Sequence, residues 1–183
     1  MQIEPTEIPD VKIVAPRRFA DERGFFSEVF SARAFEPVES RPFVQDNHSW
    51  SAHPFTIRGL HFQTPPRAQG KLVRVARGRV LDVAVDLRRS SPTFGKHVAV
   101  ELSAANWRQL WVPVGFAHGF CTLEPDSEVL YKVTDYYSAE HDFGLAFDDP
   151  ALGIAWPVAP DRAILSEKDR KHPRLAALPR LFD

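Results

Sequence analysis

The chain has 183 residues and a formal net charge of −1 at pH 7, with a pI near 6.7. Lysines and arginines are scattered, so no basic surface is predicted and a nucleic-acid partner is excluded. The length favours one domain over residues 1–183. The single cysteine, Cys121, cannot form an intramolecular disulfide, which fits a reducing compartment. No signal peptide and no apolar run of membrane-spanning length is recognised. We therefore expect a cytoplasmic protein without membrane contact.

Short apolar runs broken by Gly, Pro, Asn and Asp predict many strands and few helices. In chain order, the strand candidates are 11–16, 24–30, 42–50, 56–63, 71–87 (two strands around a turn at Arg77-Gly78), 96–102, 108–113, 119–124 and 127–137. Residues 31–37 predict a short helix, and 166–171 begin with a capping-type serine. This pattern, punctuated by 16 prolines, favours an all-β sandwich or barrel. From about residue 148 the chain is irregular and is expected to wrap over it.

The segment "RGLHFQ" (58–63) carries unusual residues for a core strand. Strict alternation places Gly59 and His61 on one face and Arg58 on the other. Arg58 and His61 can serve one site only if the strand bends or bulges. If both serve one site, Gly59 is the position where a bulge costs least.

The segment "PVGFAHGF" (113–120) has the spacing Pro-x-Gly-x-x-His, which resembles the second motif of the cupin superfamily. In metal-binding cupins the histidine, here His118, is a ligand, but a lone histidine is equally often a core residue. A metal site also needs a His-x-His pair and a glutamate. The chain offers only His61-Phe62-Gln63, and Thr122 stands where asparagine is usual. We therefore predict no metal.

An imidazole without a metal is a natural general base, because its pKa lies near neutrality. Such a base needs an orienting partner, a proton donor and a cation near developing negative charge. Asp169 could orient it. Alternation places Lys71 with Val73 and Val75 on one face, and Tyr131 with Val129 and Val133. Taken singly, each also fits a structural role as a snorkelling lysine, a core tyrosine or a solvated charge.

Together these segments resemble the dTDP-4-dehydrorhamnose 3,5-epimerase family of sugar-nucleotide epimerases. The resemblance covers most of the chain, in the family's order. It is carried by 21–30, 45–49, 58–63, 70–88, 111–120, 131–138, 148–157 and 165–169. It implies a cupin-type jelly roll with a few short helices.

The resemblance also assigns roles residue by residue. The implied catalytic set is His61 as general base, Asp169 as its carboxylate partner, Tyr131 as general acid and Lys71 beside the sugar ketone. The implied substrate-binding set is Arg23, Glu28, Gln45, Asp46, Asn47, Arg58, His118, Asp142 and Lys168. Asp142 departs from the glutamate usual in the family, which keeps the charge but shortens the reach. Independently of the resemblance, Asp135 and Ser138 beside Tyr137 indicate that the strand ends there, which places Tyr137 at the pocket rim.

The implied reaction is epimerisation at C3 and C5 of dTDP-4-dehydro-6-deoxy-D-glucose, on the route to dTDP-L-rhamnose. No cofactor is implied, since no Gly-rich dinucleotide fingerprint is present, and a homodimer is expected. Three alternatives stay open at this point. They are an epimerase acting only at C3 or only at C5, a metal-dependent cupin oxygenase or isomerase, and a non-catalytic sugar-nucleotide-binding cupin.

Overall fold

A computed structural model describes all residues, 1–183, and it confirms the all-β prediction. The strands are β1 (Gln2–Pro5), β2 (Lys12–Ala15), β3 (Phe19–Asp21), β4 (Gly24–Phe26), β5 (Gln45–Ser51), β6 (Ile57–Gln63), β7 (Lys71–Arg77), β8 (Arg79–Asp86), β9 (His97–Ser103), β10 (Gln109–Val112), β11 (Phe116–Thr122), β12 (Ser127–Val133) and β13 (Asp142–Gly144). One α-helix, α1 (Ala32–Phe35), and 3-10 turns at Pro160–Arg162, Asp169–Lys171 and Leu175–Ala177 complete the chain. None of these helices has the length and apolar character needed to cross a membrane.

Two antiparallel sheets form a sandwich. One has six strands in the order β1-β2-β10-β7-β12-β5, and the other has five in the order β13-β6-β11-β8-β9. Inward-facing side chains of both sheets pack into one core, including Val73, Val129, Ala84 and Phe120. The alternation predicted for β7 and β12 therefore holds, and it decides which side chains point between the sheets.

The outer face of the five-stranded sheet is also buried, because the chain after β13 lies across it. Leu152, Leu178 and Phe182 of this segment pack against Leu60 and Val83 of the sheet. All seven residues of β11 are buried as a result. Strands covered on both faces are continuously apolar rather than alternating. After Gly144 the chain adds no further strand to either sheet and makes only isolated bridges, between Ile164 and Thr56 and between Phe182 and Arg88.

Some strand predictions differ from the structure. The turn at Gly78 is present, with φ of +75°, but β7 and β8 do not pair with each other. They enter opposite sheets, so the turn is a sheet-to-sheet crossing. The strand predicted for 127–137 ends at Val133, where the Thr134 side chain accepts a hydrogen bond from the Gly70 amide.

A bulge interrupts β6 at the predicted place. His61 pairs with His118 and Arg58 with Phe120, so three steps along β6 oppose two along β11. Gly59, between them, has φ of +138°, a conformation that favours glycine. A Cβ there would lie 2.6 Å from Gly119 Cα. The extra residue turns both Arg58 and His61 toward the same cavity.

Candidate active site

A cavity of about 750 Å³ opens between the two sheets. Both sheets and the segment after β13 contribute to its wall. Its lining includes Gln45, Asn47, Arg58, His61, Lys71, His118, Tyr131, Tyr137, Asp142, Lys168 and Asp169. A large concave site with convergent polar and ionisable groups is the expected form of an active site.

His61 and Asp169 form a hydrogen-bonded dyad. His61 Nε2 lies 2.7 Å from Asp169 Oδ1, and Ser166 Oγ accepts a hydrogen bond of 3.1 Å from the Asp169 amide. Burial lowers the pKa of His61, with Asp169 opposing that shift. Because Nε2 of this imidazole is directed at the carboxylate and holds its proton there, Nδ1 is free to accept a proton. The dyad is therefore built as a general base that is neutral near pH 7.

A second histidine, His172, shares the Asp169 carboxylate. Its Nε2 lies 3.4 Å from Asp169 Oδ1, and its side chain is 7% exposed. The contact lacks hydrogen-bond geometry, so the buried nitrogen has no hydrogen-bond partner. Burial alone raises the pKa of Asp169, but the contacts with His172 and His61 outweigh it and hold that pKa below its ordinary range.

Lys71 is the buried cation of the site. It enters from β7 in the six-stranded sheet, and its Nζ donates a hydrogen bond of 3.1 Å to the His61 carbonyl oxygen in the opposite sheet. Burial lowers the pKa of Lys71 to about 8, although Asp142 and Asp82 oppose the shift. At neutral pH the ammonium is therefore charged in a place where water screens it poorly.

Tyr131 faces the dyad from the other sheet. It pairs with Val73 along β7 and lines the cavity on β12. Burial raises the pKa of Tyr131, which keeps the phenol protonated until it transfers its proton. Tyr137 lies beyond the end of β12 and is 59% exposed, with its hydroxyl 3.2 Å from Asp142 Oδ2. The two tyrosines thus occupy the interior and the rim, as predicted.

Polar groups at the rim connect several segments. Lys168 forms an ion pair with Asp142, which raises the pKa of Lys168. Gln45 donates to Asn47 Oδ1 at 2.8 Å and accepts from the Tyr137 amide at 3.0 Å. These side chains leave a polar entrance with both charge signs.

Arg58 joins the two sheets at another edge of the cavity. Its guanidinium donates to the Trp50 carbonyl at 2.9 Å and to Ser51 Oγ at 3.2 Å. Both partners belong to β5, across the cavity from β6. The planar guanidinium is thereby held beside the cavity, in a form suited to phosphate oxygens.

His118 lies inside the wall. It is 6% exposed and its Nε2 is 2.8 Å from Oδ1 of Asp82, a fully buried carboxylate of β8. His118 is thus a paired core histidine that also lines the cavity, and its contact with substrate stays a prediction. Asp82 was missed at the sequence level, where the signal was a carboxylate at an inward position of "RVLDVAVDL".

Three residues of the substrate-binding set lie outside this cavity. Arg23 sits in the turn between β3 and β4, where it pairs with Asp21 at 2.5 Å and is 84% exposed. Glu28 is exposed beyond β4. Asp46 points to the outer face of β5, because its neighbours in that strand point inward, and it pairs with Lys132 at 2.9 Å.

The residues available for a metal are His61, Asp169 and His172, whose ligand atoms lie within 4.8 Å of one another. Two ligands of a tetrahedral zinc ion lie about 3.4 Å apart, whereas His61 and Asp169 are at hydrogen-bond distance, 2.7 Å. Gln63 occupies the position of a second cupin histidine. Its amide instead donates to two backbone carbonyls, of Arg67 and Tyr136, and its oxygen accepts from the Ser138 amide.

Comparison with known proteins agrees with this geometry. The sequence profile of dTDP-4-dehydrorhamnose 3,5-epimerase matches residues 5–177. The enzyme of that name from Sinorhizobium fredii is 55% identical over 183 residues, covering 100% of this chain and 93% of the relative.

Two solved structures share the fold. The Bacillus anthracis 3,5-epimerase, crystallised with TDP and PPi, is 51% identical, with a TM-score of 0.91 and coverage of 94% of this chain and 98% of that one. The Legionella pneumophila epimerase, in complex with dTDP-4-keto-L-rhamnose, is 46% identical, with a TM-score of 0.92 and coverage of 97% and 94%. The sandwich is thus the cupin-type jelly roll predicted. This chain belongs to the dTDP-4-dehydrorhamnose 3,5-epimerase family.

Proposed function

We propose that this chain converts dTDP-4-dehydro-6-deoxy-D-glucose into dTDP-4-dehydro-β-L-rhamnose by inverting C3 and C5. The observation that carries this proposal is the placement of His61 and Tyr131 on opposite walls of one cavity, with Lys71 beside them. Inversion requires a base and an acid on opposite faces of the sugar. A protein that only binds the nucleotide needs neither.

Each inversion proceeds in two proton transfers. His61 Nδ1 takes the proton from a carbon next to the C4 ketone, and the electron pair moves onto the ketone oxygen as an enolate. Lys71 stabilises that oxygen, a contribution of roughly 3 kcal/mol for a preorganised donor. Tyr131 then gives its proton to the other face of the carbon. His61 loses its proton to solvent and Tyr131 regains one, so the cycle needs no redox partner.

The diphosphate and nucleotide need polar and cationic groups at the cavity entrance. Arg58 and Lys168 supply positive charge, and Gln45 and Asn47 supply amides. Because Arg23 and Glu28 lie outside the cavity of their own chain, their binding role requires a second copy. The β3–β4 pair that carries Arg23 at its turn also exposes the rings of Phe19 (51%), Phe25 (49%) and Phe26 (71%), and such a surface is suited to a homodimer contact.

The experiment that tests the reaction is incubation with dTDP-4-dehydro-6-deoxy-D-glucose in deuterated water, followed by NMR. We expect deuterium at both C3 and C5 and conversion to the L-sugar. Deuterium at one carbon only would assign a mono-epimerase, and none at either carbon would overturn the proposal.

The shared site is tested with Arg23→Ala, expected to bind substrate weakly, and His61→Ala, expected to be inactive. The two are mixed after joint unfolding and refolding and assayed at a substrate concentration at which neither variant alone shows turnover. If Arg23 serves the partner's cavity, a mixed dimer has one intact site, and activity returns to about a quarter of the wild-type value. If each chain completes its own site, the mixture stays inactive.

A further inference from the structure

His172 is the one buried titratable group beside the dyad that the reaction above does not use. It lies three residues beyond Asp169 and does not line the cavity. Its ring packs edge-on against His61, with centroids 5.4 Å apart and an interplanar angle of 85°. A group in this position contacts the base and its carboxylate without reaching the cavity surface.

The strand next to His61 in the same sheet, β13, leaves space for the His172 ring. Gly144 of β13 pairs with His61 across the sheet, and a Cβ on Gly144 would overlap the His172 imidazole. The glycine has no positive φ to explain it. Its missing side chain is the space that the His172 ring occupies.

Asp169 Oδ1 is therefore contacted by two imidazole nitrogens, at 2.7 Å from His61 and 3.4 Å from His172. The other oxygen, Oδ2, accepts only a long contact of 3.5 Å from the Gly59 amide. A carboxylate that is 6% exposed stays ionised only when paired. The His61 hydrogen bond pairs this carboxylate, and the His172 nitrogen lies at ion-pair distance from the same oxygen, which restricts the rotation of the carboxylate.

We infer that His172 is a positioning residue, which holds the Asp169 carboxylate ionised and aimed at His61 so that the base keeps its proton on Nε2 and its free lone pair on Nδ1. The inference rests on the proposed function, because it assigns His172 a part in the same proton transfer. The charged and titratable groups that face His172 are Asp169 and His61, with Lys71 one contact further away at the His61 carbonyl.

The test compares His172→Leu with His172→Gln. Leucine keeps volume and removes the nitrogen, whereas a glutamine amide reaches close to Nε2 and can donate to Asp169. His97→Leu is the control, since His97 lies on β9 at the other edge of the same sheet. Melting temperature, kcat, KM and the pH profile of kcat/KM are measured for each, together with deuterium incorporation in the wild type.

We expect His172→Leu to lower kcat by about 10- to 100-fold, the scale for a displaced catalytic group, with KM within about twofold of wild type. Loss of His172 leaves Asp169 to His61 alone, which raises the pKa of His61. The acid limb of the profile should therefore move to higher pH. His172→Gln should restore most of kcat and return the limb toward its wild-type position.

A structural role would instead lower the melting temperature of both variants and leave the limb in place, which overturns the inference. So would a kcat within about twofold of wild type in His172→Leu, or a Gln variant as slow as the Leu variant despite normal melting. The proposed function fails separately, if the wild-type enzyme itself incorporates no deuterium.

Discussion

Lys71→Met should stabilise the protein while nearly abolishing its activity. Lys71 is 8% exposed, and burial lowers its pKa from 10.5 to about 8. That shift corresponds to a cost of about 3 kcal/mol for the charged lysine at neutral pH. Methionine fills similar volume without charge, but it leaves the His61 carbonyl without its donor, at a cost of about 1 kcal/mol. The expected net gain at pH 7 is therefore about 2 kcal/mol.

The stability difference between Lys71→Met and the wild type should depend on pH. Because the folded protein binds the Lys71 proton more weakly than the unfolded chain, wild-type stability rises with pH between about 8 and 10.5. Lys71→Met lacks that rise, so its advantage shrinks over the same window. Urea unfolding at pH 7, 8, 9 and 10 measures both effects, with Lys132→Met, on the outer face of β12, as control.

Activity should change in the opposite direction to stability. Loss of a preorganised cation at the enolate oxygen lowers kcat by about 100- to 1000-fold. In the wild type, kcat/KM should fall as pH rises through about 8, where Lys71 of the free enzyme loses its proton. A Lys71→Met protein that is less stable than wild type at pH 7, or whose stability difference does not vary with pH, would refute the reasoning.

Three further predictions concern the base, the acid and the bulge. His61→Ala should slow deuterium exchange at C3 and C5 by at least about 100-fold, with near-normal melting; exchange at the wild-type rate would remove it from the role. Tyr131→Phe should permit exchange but block net inversion, because only His61 can return a proton; the same uncoupling in Tyr137→Phe instead would reverse the assignment. Gly59→Ala should lower the free energy of unfolding by about 3 kcal/mol or more, and an unchanged urea midpoint would contradict the need for glycine there.

Alternation alone was enough to predict the interior of the six-stranded sheet near the site. Lys71 and Tyr131 interrupt valine rows on β7 and β12, and both sheets bury those rows. A polar side chain in an inward row must find a partner or a ligand. The same rule applies to Asp82 on β8. It was overlooked because both faces of that strand are apolar, so the sequence does not show which face points between the sheets.

Periodicity could not predict the dyad itself. Asp169 lies 108 residues from His61, in a segment with no strand and only 3-10 turns, so no repeat in the sequence links the two. Resemblance to the family supplied that pair. His172 was missed for the same reason. The only local signal was the glycine at position 144, which leaves room for a neighbouring ring. That signal can be interpreted only once β13 is known to lie beside β6.

The placement of Lys71 explains how one set of groups can serve two carbons. Lys71 belongs to the same sheet as Tyr131, and its Nζ contacts the His61 carbonyl oxygen in the opposite sheet. The cation therefore lies between the general acid and the general base. The C4 ketone lies between C3 and C5, so proton removal from either carbon places the negative charge on the same C4 oxygen. If that oxygen stays beside Lys71, each carbon in turn needs only to reach the same base and acid. Lys71→Met should therefore slow deuterium exchange at C3 and C5 by similar factors. Factors that differ by more than about tenfold would mean that the two enolates are stabilised by different groups.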